Sequence, residues 1–153
     1  MNRFFVPSES IVGEEVVLRG EVAHRISRVL RKAEGDEVTL IDNSGLEYHA
    51  RLGNFSRNLI SGQILSVQEG LKEPHVRINL YLSLLKADKF DWALQKGTEI
   101  GINQFVPLVC ERSSVDKKAF ISDSRLGRWK KIIMQAAEQC GRSRIPVMNR
   151  PMS

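Results

Sequence analysis

Two arginines flank one serine in "EQCGRSRIP" (residues 138–146), placing Arg142 and Arg144 at the end of a helical stretch just before a proline. A cation there complements the last helical carbonyls by ~0.3–1 kcal/mol, but a guanidinium fork also suits a phosphate or carboxylate. Arg112 in "ERSS" (residues 111–114) offers the same fork from a strand-end loop, with pairing to Glu111 as the alternative. Lys86 and Lys89 follow an apolar run, and Lys96 stands one helical turn from Glu99, either as a site pair or as a surface ion pair. Arg3, Arg28 and Arg31 add cations in the first half. This is chemistry for holding anions rather than for breaking bonds, because no GxSxG, P-loop, HExxH or GxGxxG is present. His24, His49 and His75 lie in or beside the first half and are not placed for acid–base work. Asp91, Glu99 and Glu138 sit within helical stretches, where Gln95 to Glu99 and Arg142 to Glu138 have i,i+4 spacing. Cys110 and Cys140 are too few for a disulfide framework and lack zinc-like spacing, so both read as reduced, mostly buried thiols.

The distribution of charge supports anion holding. The 153 residues carry a formal net charge of +5, but residues 1–70 hold 8 Lys/Arg against 10 Asp/Glu, whereas residues 71–153 hold 15 against 8. A basic half joined to a near-neutral one fits contact with a polyanion, whose condensed counterions are released by clustered Lys and Arg. The N-terminus "MNRFFVPSESIVGEE" lacks a secretion signal and no run is long and apolar enough to span a membrane, so the expected location is cytoplasmic.

The elements that must position these groups fall into two textures. Through residue 72 the chain is made of short β-branched runs ("RFFV", "EEVVLRG", "DEVTLID", "LEYHARLG", "LISGQILSV") divided by turn signals, which predicts a small antiparallel β-barrel. Within it "VAHRISRVLR" (residues 22–31) places Val22, Ile26, Val29 and Leu30 at helical spacing, with His24, Arg25, Arg28 and Arg31 on other faces. A boundary falls in "SVQEGLKEPHV", broken by Gly70 and Pro74, and divides the chain into domains 1–72 and 73–153. Beyond it "RINLYLSLL", "QFVPLVC" and "IPVM" read as parallel strands separated by two helices. The first helix buries Phe90, Ala93, Leu94 and Gly97, with Asp88 as cap and Gly101 as stop; the second buries Leu126, Trp129, Ile132, Ile133, Ala136 and Ala137. Ligands of such sheets sit beyond the carboxyl ends of the strands. Lys86 and Lys89, "ERSS" and "NRP" (residues 149–151) map there.

"RFFV", "HRISRVLR", "GDEVTLIDNSGLEYHARL", "KADKFDWALQKGTEIGINQFVPLVCERSSV" and "RWKKIIMQAAEQCGRSRIP" together resemble the RsmE family, small-subunit ribosomal RNA uridine-N3 methyltransferases of the SPOUT class. The resemblance implies an α+β two-domain chain: an N-terminal PUA-like antiparallel β-barrel that binds RNA, then an α/β parallel-sheet domain of SPOUT type. It also implies S-adenosyl-L-methionine as methyl donor, 16S ribosomal RNA or the small ribosomal subunit as partner, a homodimer, and no metal or membrane. Arg112, Arg142 and Arg144 become RNA-holding groups, with Arg3, Arg28, Arg31, Lys86, Lys89 and Lys96 extending the contact. The catalytic residue stays unassigned.

One departure sets a further expectation. The family continues into a glycine-rich loop and a trefoil knot that build the cofactor pocket, and nothing similar precedes Ser153. The chain therefore reads as truncated before the knot, holding no cofactor-binding residue, unable to bind the methyl donor alone, and leaving apolar faces of "INLYLSLL" and "FVPLVC" uncovered. On that reading a noncatalytic RNA-binding fragment of such an enzyme is the alternative function. A small-molecule enzyme has little support.

Overall fold

Val16 and Leu18 are buried while Glu15 and Arg19, at either end of the same strand, are exposed, the period-2 pattern of a strand with one wet face. The computed structural model describes residues 2–70, 73–110 and 122–152. They belong to two compact units, Met1–Leu71 and Lys72–Ser153.

In the first unit six strands form one sheet: β1 (Arg3–Phe5), β2 (Ile11–Val12), β3 (Glu15–Arg19), β4 (Glu37–Ile41), β5 (Leu46–Ser56) and β6 (Leu59–Glu69), in the order β1-β4-β5-β6-β3-β2. The expected antiparallel barrel is corrected twice. β1 runs parallel to β4, so the sheet is mixed, and the hydrogen-bonded order ends at β1 and β2, so it is open. β1 is only three residues and β2 two, too short to close a ladder on each other. Phe4, Leu18, Ile26, Leu40, Leu52 and Ile60 form the core.

The helix of this unit also departs from expectation. It begins as α1 (Gly20–His24) and continues as one π turn, Arg25–Val29, in which the Leu30 amide donates to the Arg25 carbonyl at 2.9 Å. Inserting a residue rotates all that follows by ~100° relative to an α-helix. Ile26 stays fully buried, but Val29 and Leu30, expected on the same apolar face, are 65% and 40% exposed.

β1 is fastened by charge. Arg3 donates to both carboxylate oxygens of Glu47 on β5, at 3.0 and 2.5 Å, across the intervening β4. Glu47 is 5% exposed, and its hydrogen bonds from Arg3 hold its carboxyl below the ordinary value of 4.5 against the opposing effect of burial.

The second unit contains β7 (Asn79–Ser83), β8 (Gln104–Leu108) and β9 (Val147–Met148), all parallel and in that order, with α2 (Ala87–Glu99) and α3 (Asp123–Cys140) in the connections. Right-handed crossovers advancing in one direction put both helices on one face. That face carries Leu80, Leu82, Phe105 and Met148, which pack against Phe90 and Leu94 of α2 and Trp129 and Ile133 of α3. Phe90 and Trp129 meet with ring centroids 4.6 Å apart and planes tilted by 40°. On the other face Tyr81 and Val147 are 59% and 53% exposed, whereas Val106 of β8 is buried. Of the two strands expected to lie uncovered, only β7 shows a large exposed residue.

Asp88 does not cap α2. The N-cap position is Lys86, no side chain bonds the first amides, and Asp88 lies inside the first turn, where its charge suits the helix dipole. Gly101, at φ 97°, follows the last turn of α2 in the left-handed conformation that glycine adopts without strain. Gly97 is needed for a different reason: a Cβ there would lie 2.7 Å from Cε1 of the Phe105 ring.

Two outcomes are expected. Gly97→Ala should lower stability in urea unfolding by roughly 1–3 kcal/mol through overpacking, although alanine favours helix by about 1 kcal/mol; a stabilised variant would show that the ring moves aside. Because the Glu47 carboxyl is depressed in the folded state, the pair's contribution is complete above its ordinary value and lost as pH falls below it. Arg3→Ala should destabilise near pH 7 by about 3 kcal/mol, since Glu47 is left buried and unpaired. The gap from the parent protein should narrow in acid unfolding below pH about 4.

Candidate nucleic-acid interface

The amino and carboxyl edges of the parallel sheet hold different kinds of cation. At the amino edge the α2–β8 turn brings Asn103 beside the start of β7, where its amide donates to the Ile78 carbonyl at 2.8 Å, while the Val147 amide at the start of β9 donates to the Asn103 carbonyl at 3.0 Å. Arg142, just past α3, enters this edge and is 4% exposed. Its Nη1 donates to the carbonyls of Ile102 and Thr98 at 2.6 and 3.3 Å; Nη2 and Nε donate to the Glu73 carboxylate at 2.8 and 3.4 Å. Glu73 also accepts from the backbone amides of Ser143 and Arg144 at 3.0 and 2.9 Å.

This corrects the assignment of Arg142 as an RNA-holding group. A guanidinium 4% exposed, with four of its five N–H groups donating within the protein, is committed to fastening this edge rather than to gripping a phosphate. Its carboxylate partner is Glu73, not Glu138 at i,i+4 spacing. The neighbouring Arg144 is exposed and, with Arg77 and Asn103, lines a recess of about 360 Å³ at the same edge. One arginine of the "GRSR" pair is therefore a fastening and the other is available to a ligand.

The carboxyl edge carries exposed Lys86 and Lys89 at the start of α2, then Cys110 after β8 and Arg150 after β9. Cys110 is exposed and Cys140 half-buried, so the expectation of two mostly buried thiols fails for Cys110. Arg150 meets Asp123 at 3.5 Å with both side chains largely in water, a weak pair. Arg112 lies outside the described residues.

Lys96 donates to Glu99 at 2.7 Å, and Gln95 donates to the same carboxylate at 3.2 Å. These bonds, the one from Lys96 foremost, hold the Glu99 carboxyl below its ordinary value. Lys96 is thus a member of a surface pair rather than a free cation. Arg3 is likewise held by Glu47. Arg28 and Arg31 are both exposed, Arg31 at φ 52° where the chain leaves the helix. Among the described residues no group of three or more His, Cys, Asp or Glu could hold a metal ion, and no helix is long and apolar enough to cross a membrane.

Sequence reasoning passed over Arg77, at the head of the run "RINLYLSLL" read as a strand, and Arg57, at the tip of the β5–β6 hairpin. The signal for Arg57 is "SRNL", a two-residue turn whose Asn58 takes φ 72°, holding the preceding arginine at an exposed tip.

Residues 72–153 match the family model described as an RNA methyltransferase domain, and residues 18–65 match one described as an RNA methyltransferase PUA domain. Ribosomal RNA small subunit methyltransferase E of Bacillus subtilis is 33% identical over 159 residues, covering 95% of this chain and 58% of the relative. The protein of that name from Buchnera aphidicola of Acyrthosiphon pisum is 28% identical over 99% of this chain and 60% of its own length. The crystal structure of such an enzyme from Neisseria gonorrhoeae, bound to S-adenosyl methionine, superposes with a TM-score of 0.88 at 30% identity, covering 99% of this chain and 62% of that one. A putative methyltransferase from Legionella pneumophila, in complex with the same cofactor, gives 0.88 at 29% identity over 98% and 62%. The chain thus spans about three fifths of the length of these relatives.

The two arginines of "GRSR" should separate cleanly. Arg142→Ala should cost on the order of 3 kcal/mol in thermal or urea unfolding, because it leaves the half-buried Glu73 carboxylate without its countercharge and the Ile102 carbonyl without its side-chain donor. Arg144→Ala should change stability by less than about 0.5 kcal/mol. In RNA titrations Arg144→Ala should lower the slope of log affinity against log salt by roughly one unit. Equal stabilities of the two variants would refute the division.

Proposed function

From the premise that this chain belongs to the RNA methyltransferase family whose model spans residues 72–153, we propose that it serves S-adenosylmethionine-dependent methylation of small-subunit ribosomal RNA at N3 of a uridine. The observation that carries the reading is the match of both units, in order, to the two domains of such enzymes, with superposition on cofactor-bound structures. Exposed cations on both units, Arg28, Arg57, Lys86, Lys89 and Arg144, support RNA as the partner. The protein is proposed to act in the cytoplasm, where ribosomal RNA is modified, and as a homodimer.

N3 of uridine carries an imide proton. Methylation requires that proton to leave, the nitrogen to line up with the sulfonium carbon, and the base to be exposed, so positioning and electrostatics carry most of the rate. When bound, S-adenosylmethionine supplies the electrophilic methyl group. The recess at the amino edge does not fit it: beside Pro74 and Val76 it is lined by the charged Glu73, Arg77, Arg142 and Arg144, and it lies opposite the carboxyl edge where such sheets hold ligands. The share assigned to the described residues is to hold RNA.

Disrupting the gene in its host and digesting the small-subunit ribosomal RNA to nucleosides should remove the N3-methyluridine signal in mass spectrometry. A full signal in the disrupted strain would sink the proposal.

A further inference from the structure

The π turn after α1 and the tip of the β5–β6 hairpin enclose a recess of about 300 Å³ in the first unit. His24 and Arg28 line it from the helix, Lys32 from the segment after it, and Phe55 and Arg57 from the hairpin; no carboxylate lines it. Lys32 has Asp36 at 3.7 Å, a loose pairing. Arg28 and Arg57 are exposed and have no carboxylate partner among the described residues. Two guanidinium groups that line one recess with no carboxylate beside them make it a place where an anion is favoured.

The backbone on both walls is irregular. The helix widens to a π turn, and the β5–β6 register shifts between Leu52 and Phe55, just before the tip. Helical π turns and strand bulges recur at functional sites, where they re-aim side chains. Burial of Val29 does not favour the π turn, which leaves that residue 65% exposed. Phe55 is half-buried against the core and lines the recess, offering part of its ring.

We propose that this recess is an RNA subsite for one unstacked nucleotide of a single-stranded or looped segment, with Arg28 and Arg57 holding its phosphate and Phe55 giving the base or ribose an apolar surface. The size favours this ligand: ~300 Å³ is at the lower limit of small-ligand sites, and a duplex cannot lower its paired bases into it. The site rests on the reading that the protein acts on RNA, and adds which form of RNA it holds and where.

The test is fluorescence anisotropy on the 153-residue chain with a labelled single strand of about 12 nucleotides and a duplex of equal length. Parent protein, Arg28→Ala/Arg57→Ala, Phe55→Leu and, as a control outside the recess, Arg19→Ala are compared, with thermal unfolding to confirm folding. The double variant should lose about tenfold or more in single-strand affinity and roughly one unit of salt slope. Phe55→Leu should lose several-fold while keeping that slope. Duplex binding by both variants, and single-strand binding by Arg19→Ala, should change less than about twofold. If the parent binds neither RNA, the reading of the protein as RNA-directed falls with the subsite. If the parent binds and the double variant matches it, or loses single strand and duplex equally, the subsite alone is overturned.

Discussion

Arg142 is a charge held out of water, and much of the second unit is arranged to make that tolerable. Its Nη1 takes the carbonyl of Ile102, just beyond the end of α2, and more weakly that of Thr98, which also accepts from the Gly101 amide. Its other donors take Glu73, which in turn accepts the amides of Ser143 and Arg144, just beyond α3. One ion pair therefore ties the end of α2 and the segment after α3 to the segment that leads into β7. A buried pair adds little net stability compared with apolar packing, but it is intolerant of losing one member. The orientation of the amino edge, including the direction in which Arg144 leaves it, follows from that constraint.

The same criterion sorts the remaining cations. Arg3, Lys96 and Arg128 each meet a carboxylate, in Glu47, Glu99 and Asp91. Their charges count toward the net +5 but are locally compensated. Lys86, Lys89, Arg77 and Arg144 in the second unit, and Arg28 and Arg57 in the first, are exposed without such partners among the described residues. The surplus seen in the second half of the sequence points to a polyanion, but the residues that could meet one are fewer than the count, and several of them lie in the half whose net charge is negative. Net charge describes the long-range field; contacts depend on which heads are unpaired.

Regular elements were legible because one local rule governs each of them. The run at residues 78–85 contains β7, Phe90, Leu94 and Gly97 mark the packed face of α2, and Gly101 marks its end. What the sequence did not show depends on partners distant along the chain. Arg142 meets Glu73 sixty-nine residues away, and no spacing rule reaches that far. β1 lies parallel to β4, with β2, β3 and α1 intervening, whereas the short runs suggested antiparallel neighbours throughout. Asp88 had the composition of a cap but sits inside the first turn, within the ±1–2 residues by which helix ends resist assignment.

Residues 25–29 are a different kind of failure, because here the sequence follows the helical rule and the backbone breaks it. Val22, Ile26, Val29 and Leu30 have the spacing of a single apolar stripe, yet the π turn keeps Ile26 in the core and sends Val29 outward. Exposing that valine gives up burial on the order of 1.5–3 kcal/mol at most, so the widened turn must be favoured by something the hydrophobic pattern does not contain. Packing around Ile26 accounts for one side of the turn. The other side is the wall that carries Arg28 toward Arg57, where no core contact supplies a reason. Places where local preference and observed geometry disagree without a packing explanation are where function is most often found. In this chain that place is a recess lined by unpaired cations rather than the arginine pair that first draws the eye in the sequence.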